Sequence, residues 1–398
     1  MRGFGPALLF LLHGIGMAAW FVPLSPVLEA HGYSGLRPYA FATSAVAALV
    51  TPLLFGALAD RRLPPLRVLR GVCFGTAVLM ALAGFAIERR WPAWAVLGLI
   101  QLQSLLSTPT WSLVTSIVLS GLRDAKREFG PVRAFGTFGW IGGCLLVSVA
   151  GADASTRAGY LGAGFMLGLA LFTLALPCVA PVSVPTRMSV RQRLGLDALE
   201  LLRNPDHRVV FLTAGLLSAP LAAFYPFTPS QLRDLGMERT SAWMSLAQGT
   251  EVVAMYGLAA LLGRWRLKWV LAAGLGFAVL RYLLLATNGR GWVLAGISLH
   301  GFAFTLFYVT APIYLNERID PAWRARGQAL LSLMTQGLGN LVGYLGSGWW
   351  LAACQGPGGT RWTLFWGGLA GCVILVLGYF LARYRGREAH AVSEPAPP

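Results

Sequence analysis

The amino-acid sequence predicts an all-α polytopic membrane protein with about twelve transmembrane helices arranged as two six-helix halves. Three observations carry that prediction. The 398 residues are 56% hydrophobic, with a mean hydropathy of +0.61. Only 12% are charged, against roughly 25% in soluble globular domains. The apolar residues fall in repeated stretches of about 20, the length that crosses a bilayer as a helix.

The net charge of +16 raises the question of a nucleic-acid partner, and its distribution argues against one. With the N-terminus inside and the segments alternating sides, most of the 32 Lys and Arg residues lie on the cytoplasmic face. The exceptions are Arg37, Arg89, Arg90, Arg157, Arg233, Arg239, Arg290 and Arg361 outside, and Arg133 and Arg281 within segments. That asymmetry is the positive-inside rule. It predicts a multi-pass plasma (inner) membrane protein with both termini cytoplasmic. Basic loops of this kind also favour anionic lipid headgroups. The five cysteines, 73, 144, 178, 354 and 372, fall in or at the ends of apolar segments, so no structural disulfide is expected. The first segment is too long and too poorly flanked for a removed signal peptide and reads as a retained helix.

Segment 1 runs from about Pro6 to Leu28, with Pro23 placed to kink it. Segment 2 runs from about Tyr39 to Ala59, and segment 3 ends near Ile87. Segment 4, about Trp94 to Leu119, carries Gln101, Gln103, Ser104, Thr108-Pro109-Thr110 and Thr115-Ser116. Segment 6 spans about Gly159 to Val179. A longer basic, proline-containing stretch with an amphipathic run, Leu194 to Leu202, then separates the halves. The expected organisation is an N-terminal bundle over 1–180, a cytoplasmic central loop over 181–208, a C-terminal bundle over 209–384 and a disordered tail over 385–398. Segments 7 (about Val209 to Pro229), 8 (about Ser241 to Leu262), 9, 10 (about Trp292 to Leu315), 11 and 12 fill the second half. A faint internal repeat supports this division. Lys268-Trp269-Val270-Leu271 mirrors Arg67-Val68-Leu69-Arg70, and the glycines of segment 11 mirror those of segment 5. Segments 5 and 11 are therefore expected to make close crossings between the repeats.

Segment 2 ends in Gly56-Ala57-Leu58-Ala59-Asp60-Arg61-Arg62 on the basic side. This stretch resembles the cytoplasmic loop motif of the major facilitator superfamily. Gly56 allows close helix contact, while Asp60 and Arg61 provide charges that can latch one loop to another, so the three are gating candidates. A short loop with inside-positive charge explains the arginines equally well, but not the aspartate at that spacing.

The stretch Arg127 to Gly143, REFGPVRAFGTFGWIGG, organises the first half. Arg133, Thr137 and Trp140 share one helical face. Glycines at 136, 139, 142 and 143 leave much of the remaining surface bare, so another helix can approach. Arg133 reads as a substrate-facing cation or as an anchor that snorkels to the interface. Among the acidic residues, Glu251 alone lies near the middle of a predicted helix, with Gln248 one turn away on the same face. A charge at the bilayer centre costs at least about 2.5–3.5 kcal/mol on insertion scales. A carboxylate escapes that cost by taking a proton or by facing a hydrated cavity with a partner. Glu251 is thus the proton-coupling candidate, and an ion pair with Arg133 is the structural alternative. His300 and Phe304 on segment 10 complete the candidate substrate contacts, although His13, His300 and the aromatic runs also read as ordinary packing. No spacing of Cys or His fits a metal, no glycine loop fits a phosphate, and no nucleophile set stands out, so neither an enzyme nor a cofactor is expected.

Together these features resemble the nucleoside:proton symporter family of the major facilitator superfamily. The resemblance is carried by Trp20 to Leu24, by Thr51-Pro52 through Asp60-Arg61, by Pro109-Thr110 through Ile117 and Phe129 to Ile141, and by Arg324 to Gln328. It implies that Arg133, Thr137, Trp140, Gln248 and Glu251 form a central nucleoside site. Three departures bear on the substrate, the first being Thr115 where the segment 4 motif of the family has an asparagine. Segment 7 offers Tyr225 and Thr228 where well-known members place amides, and segment 10 reads Phe304-Thr305-Leu306-Phe307 where they place an aspartate. The expected activity is proton-coupled uptake of nucleosides or similar small polar solutes by a monomer through alternating access. A carrier for a sugar, aromatic acid or drug, and a non-transporting membrane sensor, are the alternatives.

Overall fold

The computed structural model describes residues 5–59, 63–122, 124–177 and 189–386. Long helices dominate it. In the first half these are α1 (Gly5–Ala30), α2 (Arg37–Ala59), α3 (Pro65–Glu88), α4 (Ala93–Ser107 continued by Thr110–Gly121), α5 (Ala125–Val149) and α6 (Arg157–Ala175). In the second they are α7 (Pro205–Asp234), α8 (Thr240–Arg264), α9 (Leu267–Ala286), α10 (Arg290–Arg318), α11 (Pro321–Ser332 continued to Ala353) and α12 (Trp362–Arg383). Nine helices of the described residues are long and apolar enough to cross a membrane. Large apolar side chains such as Val149, Tyr256 and Leu375 are almost fully exposed on the outside of the bundle. Lipid tails are the solvent that makes such a surface stable.

Proline sets the interruptions. Pro23 lacks an amide hydrogen, and α1 breaks between Phe21 and Leu24. Pro109 divides α4, and the Thr108 hydroxyl caps the break by donating to the Ser104 carbonyl at 2.7 Å. The helix α7 begins at Pro205, ahead of the expected Val209. Asn204 accepts hydrogen bonds from the amides of Asp206 and His207 at 2.9 and 3.3 Å, and proline fits the first helical position. Before it, the amphipathic run of the central segment lies along α11, tied by an Arg326–Asp197 ion pair of 3.1 Å. Two π-helical turns interrupt α10 at Thr305–Val309 and α11 at Leu333–Gly339.

Each half has its own apolar core, one built around Phe10, Trp20, Phe41 and Met80, the other around Phe211, Phe224, Phe307 and Trp366. The glycines of α5 serve a crossing inside the first half. A Cβ on Gly143 would lie 2.6 Å from the Ile15 carbonyl oxygen, and one on Gly139 would strike the Leu11 carbonyl oxygen. In the same way Gly339 and Gly343 seat α11 on α7. The tight backbone crossings expected between the repeats therefore run within each half for α5. The glycines of α11 also serve a crossing between the halves, where Gly337 meets Leu49 and Gly348 meets Pro38 of α2, and α5 reaches α8 of the second half, where the Ala242 amide donates to Ser148 Oγ at 2.9 Å.

The halves are joined by polar contacts at the end of the bundle away from the chain termini. Glu29 Oε2 accepts from the Ser230 hydroxyl at 2.9 Å and lies 3.5 Å from both Arg37 and Arg233. Arg37 also donates to Ser230 Oγ at 2.7 Å. Across the bundle, Asp153 Oδ1 accepts from the amide of Ser241 at 2.6 Å and from the Ser148 hydroxyl at 2.9 Å. Among the described residues Cys73, Cys144, Cys354 and Cys372 are free thiols; Cys178 lies outside them.

Candidate functional site

The helix α5 starts at Ala125, so Arg133 stands in its third turn rather than at its edge. From there Arg133, Thr137 and Trp140 follow one face. The Arg133 guanidinium lies 5.3 Å from the centre of the Trp111 ring of α4, a cation–π placement suited to a partly desolvated site. Trp111 meets Phe10 edge to face at 5.3 Å, and His13 beside it hydrogen-bonds Thr110 Oγ1 at 2.7 Å. Gly136 keeps this arrangement open, because a Cβ there would come within 2.7 Å of Trp111. Thr137 is buried and Trp140 half-buried.

Trp140 bridges the halves through aromatic contacts, with ring centres 6.2 Å from Phe21 of α1 and 6.3 Å from Tyr225 of α7. Gln248 of α8 donates its amide to the Tyr225 hydroxyl at 2.8 Å. The Tyr225 ring in turn meets His300 of α10 edge-on at 6.1 Å, and His300 lies near-parallel to Phe304 at 6.0 Å. Tyr225 is thus the hub around which Trp140, Gln248, His300 and Phe304 are gathered. Glu251 sits one turn beyond Gln248, partly exposed. Arg133 is close enough to act on its carboxylate electrostatically, yet no direct ion pair joins the two. The backbone at Glu251 lies against α10 at Gly301, where a Cβ would strike the Glu251 amide and come within 2.5 Å of Thr250.

Beside this hub a cavity of about 270 Å³ is lined by His13, Phe21, Gln103, Ser107, Trp111 and Trp140, among others. Trp140 Nε1 and Gln103 Nε2 in its wall are buried without a partner, and so is Gln248 Oε1 on the far side of Tyr225. Buried donors and acceptors are normally satisfied, and a set left open beside a cavity marks a place where a polar ligand or water completes them. Two donors and an acceptor next to a run of aromatic faces fit a planar, multiply hydrogen-bonding molecule.

The sequence predicts Arg133, Thr137, Trp140, Gln248, Glu251, His300 and Phe304 as site residues. Tyr225, Trp111 and Phe21 join them only in the fold. Tyr225 carries the one available signal, a hydroxyl in the aromatic run Phe224-Tyr225-Pro226-Phe227 facing a predicted membrane interior. The gating candidates are only partly visible. Gly56 belongs to the last turns of α2, whereas Asp60 and Arg61 lie outside the described residues. No group of three or more His, Cys, Asp or Glu side chains among the described residues could hold a metal.

Two helical halves of membrane length, latched at one end and meeting at an aromatic hub beside a cavity in the first half, define a multi-pass secondary transporter of the major facilitator fold. Comparison with known proteins agrees and goes further. The Nucleoside H+ symporter family model matches residues 7–389. The chain is 33% identical over 340 residues to the putative nucleoside transporter YegT of Escherichia coli K12, covering 82% of this chain and 79% of that one. It is 27% identical over 364 residues to the nucleoside permease NupG of the same organism, covering 87% and 86%. The crystal structure of the nucleoside transporter NupG superposes with a TM-score of 0.86 at 24% identity, covering 96% of this chain and 98% of that one. The chain belongs to the nucleoside H+ symporter family. It is a multi-pass inner-membrane transporter and not an enzyme.

Proposed function

We propose that this chain carries nucleosides into the cell together with protons, binding them at the Tyr225 hub between its halves. The observation that carries this reading is the open hydrogen-bonding set, Trp140 Nε1, Gln103 Nε2 and Gln248 Oε1, beside aromatic rings of both halves. Aromatic faces accept a planar base, and the amides and the Arg133–Thr137 edge hold ribose hydroxyls and base edges. The relatives named for nucleosides support the substrate class.

In this mechanism Glu251 carries the coupling proton. Protonated, it loses the charge that makes an intramembrane carboxylate costly. Ionised, it draws on the nearby Arg133. Substrate that competes for Arg133 favours the protonated carboxyl, and by linkage the proton favours substrate. The halves then rock around the site. The polar latch of Glu29, Arg37, Ser230 and Arg233 corresponds to a state closed on the outer side, with both termini cytoplasmic. Gly56, Asp60 and Arg61 form the opposing inner gate, the halves divide at the 181–208 segment, and the working unit is a monomer.

The test is uptake of labelled nucleosides into proteoliposomes with and without an inward proton gradient. Gradient-driven accumulation is expected. Uptake indifferent to the gradient removes the coupling, and a competition panel won by sugars or aromatic acids removes the substrate class.

A further inference from the structure

Arg281, in the last third of α9, is completely buried, and no carboxylate pairs with it among the described residues. Its guanidinium lies 4.7 Å from the Phe224 ring centre and 4.5 Å from that of Tyr282. Nη2 donates to the Tyr282 hydroxyl at 2.8 Å, and that hydroxyl donates onward to the Pro220 carbonyl at 2.6 Å. Nη1 donates to Nδ1 of His300, while Nε has no partner. A buried charge without a counter-ion is expensive, and a leucine would fill a helix–helix contact at lower cost. The arginine does something a leucine cannot.

An arginine has donors and no acceptor, and it stays protonated. The Nδ1 atom that faces it must therefore present a lone pair. His300 is then a neutral ring with its proton on Nε2. A second positive charge on that ring would also face Arg281 directly. The ring cannot reorient freely, since it stacks on Phe224 at 4.5 Å with 9° between planes and on Phe304 from the other residues of α10. Its other charged and titratable neighbours are Tyr225 on α7 and Glu251 on α8, whose backbone touches Gly301 next to it, with Tyr308 one ring further on behind Phe304. His300 Nε2 has no acceptor among the described residues, and the residue keeps 8% of its surface exposed.

We infer that Arg281 is a positioning residue that locks His300 as a neutral Nε2–H donor, and that this donor is offered to a hydrogen-bond acceptor, a carbonyl oxygen or ring nitrogen, on the transported molecule. Arg281 itself touches no substrate. The same lock excludes His300 as a carrier of the coupling proton. The ligand contact rests on the nucleoside reading above; the tautomer lock does not.

The experiment is nitrogen NMR of protein labelled with ¹⁵N-histidine in lipid nanodiscs, with His300→Gln assigning the resonance among the five histidines. The expected spectrum shows His300 with an unprotonated Nδ1 and a protonated Nε2, unchanged from pH 5 to 8. An Nδ1–H tautomer, or a titration within that range, overturns the lock. In Arg281→Met the two nitrogen shifts move towards each other as the tautomers exchange; unmoved shifts overturn Arg281 as the cause. Should that variant not fold, the wild-type spectrum still decides. Adding uridine or adenosine is expected to shift the Nε2 signal, and His300→Phe is expected to weaken binding about tenfold. Binding seen at the Trp140 indole with Nε2 unmoved overturns the ligand contact alone. No nucleoside binding at all sinks the proposed substrate and leaves the lock to be judged by its own spectrum.

Discussion

Gln248 reaches from α8 to α7 and donates its amide to the Tyr225 hydroxyl at 2.8 Å. That single bond orients the Gln248 side chain and leaves its Oε1 open, buried and unpartnered. Tyr225 also meets Trp140 of the other half. A contact made at this point is felt by both halves at once, which is what a transported solute requires.

Tyr225→Phe keeps the ring and removes the acceptor. Gln248 then loses its orienting partner, and a buried amide is left unsatisfied, at a cost of about 1–3 kcal/mol. The expected outcome is a KM for nucleoside uptake raised about five- to tenfold, with the maximal rate little changed. Initial-rate uptake in proteoliposomes measures the split. A lowered rate at unchanged KM contradicts an orienting role.

Gly301 lets α10 come down on the backbone of Glu251 and Thr250. Gly301→Ala inserts a methyl where backbone already lies, and the helices must part. Overpacking of this kind costs about 1–3 kcal/mol, and here it also displaces Glu251. A lower melting temperature in detergent and reduced uptake are expected together. Gly276→Ala, a position on α9 with nothing within 4 Å of the added methyl, serves as the neutral control.

Much of this architecture is legible in the sequence for physical reasons. A bilayer demands long apolar helices, so composition and segment length announce them directly. Proline removes a donor wherever it stands, so the break at Pro23 is readable in advance. The Arg133, Thr137, Trp140 face follows from helical period alone. Other features depend on tertiary neighbours that no single segment encodes. Glycine spacing announces a close crossing but not the partner, and the glycine face of α5 packs on α1 of its own half. The π-helical turns at Thr305 and Leu333 have no local signature. An arginine within an apolar run, such as Arg281, declares that something must satisfy it; only the fold reveals that the partner is an imidazole rather than an acid.

The Glu29 latch predicts a shift in conformation. One carboxylate there holds Arg37, Arg233 and Ser230. Glu29→Gln keeps the shape and removes the charge, so two arginines at the same end repel with only Asp234 left nearby to offset them. The outward-open population is expected to rise. Spin labels at Ser34 and Glu238, both exposed on facing loops of the two halves, report it as a longer inter-label distance. Because Arg233 and Glu29 remain partly exposed, the effect should shrink at high salt. An unchanged distance distribution shows that apolar contacts hold this end shut.

Glu251→Gln separates proton movement from substrate movement. The amide retains shape and hydrogen bonds, yet can neither release a proton nor balance Arg133. Concentrative uptake driven by an inward proton gradient should be lost, while exchange of labelled for unlabelled nucleoside across the membrane survives. Arg133→Lys keeps the charge but gives up the guanidinium placed over Trp111, so it should retain coupling while weakening binding several-fold. The pair of variants therefore divides two roles: coupling should follow the carboxylate, and affinity should follow the guanidinium. If Glu251→Gln still accumulates nucleoside against a gradient, the proton travels on another group. Arg281 and His300 would not replace it, because a ring that accepts from a permanent cation has no free nitrogen to protonate.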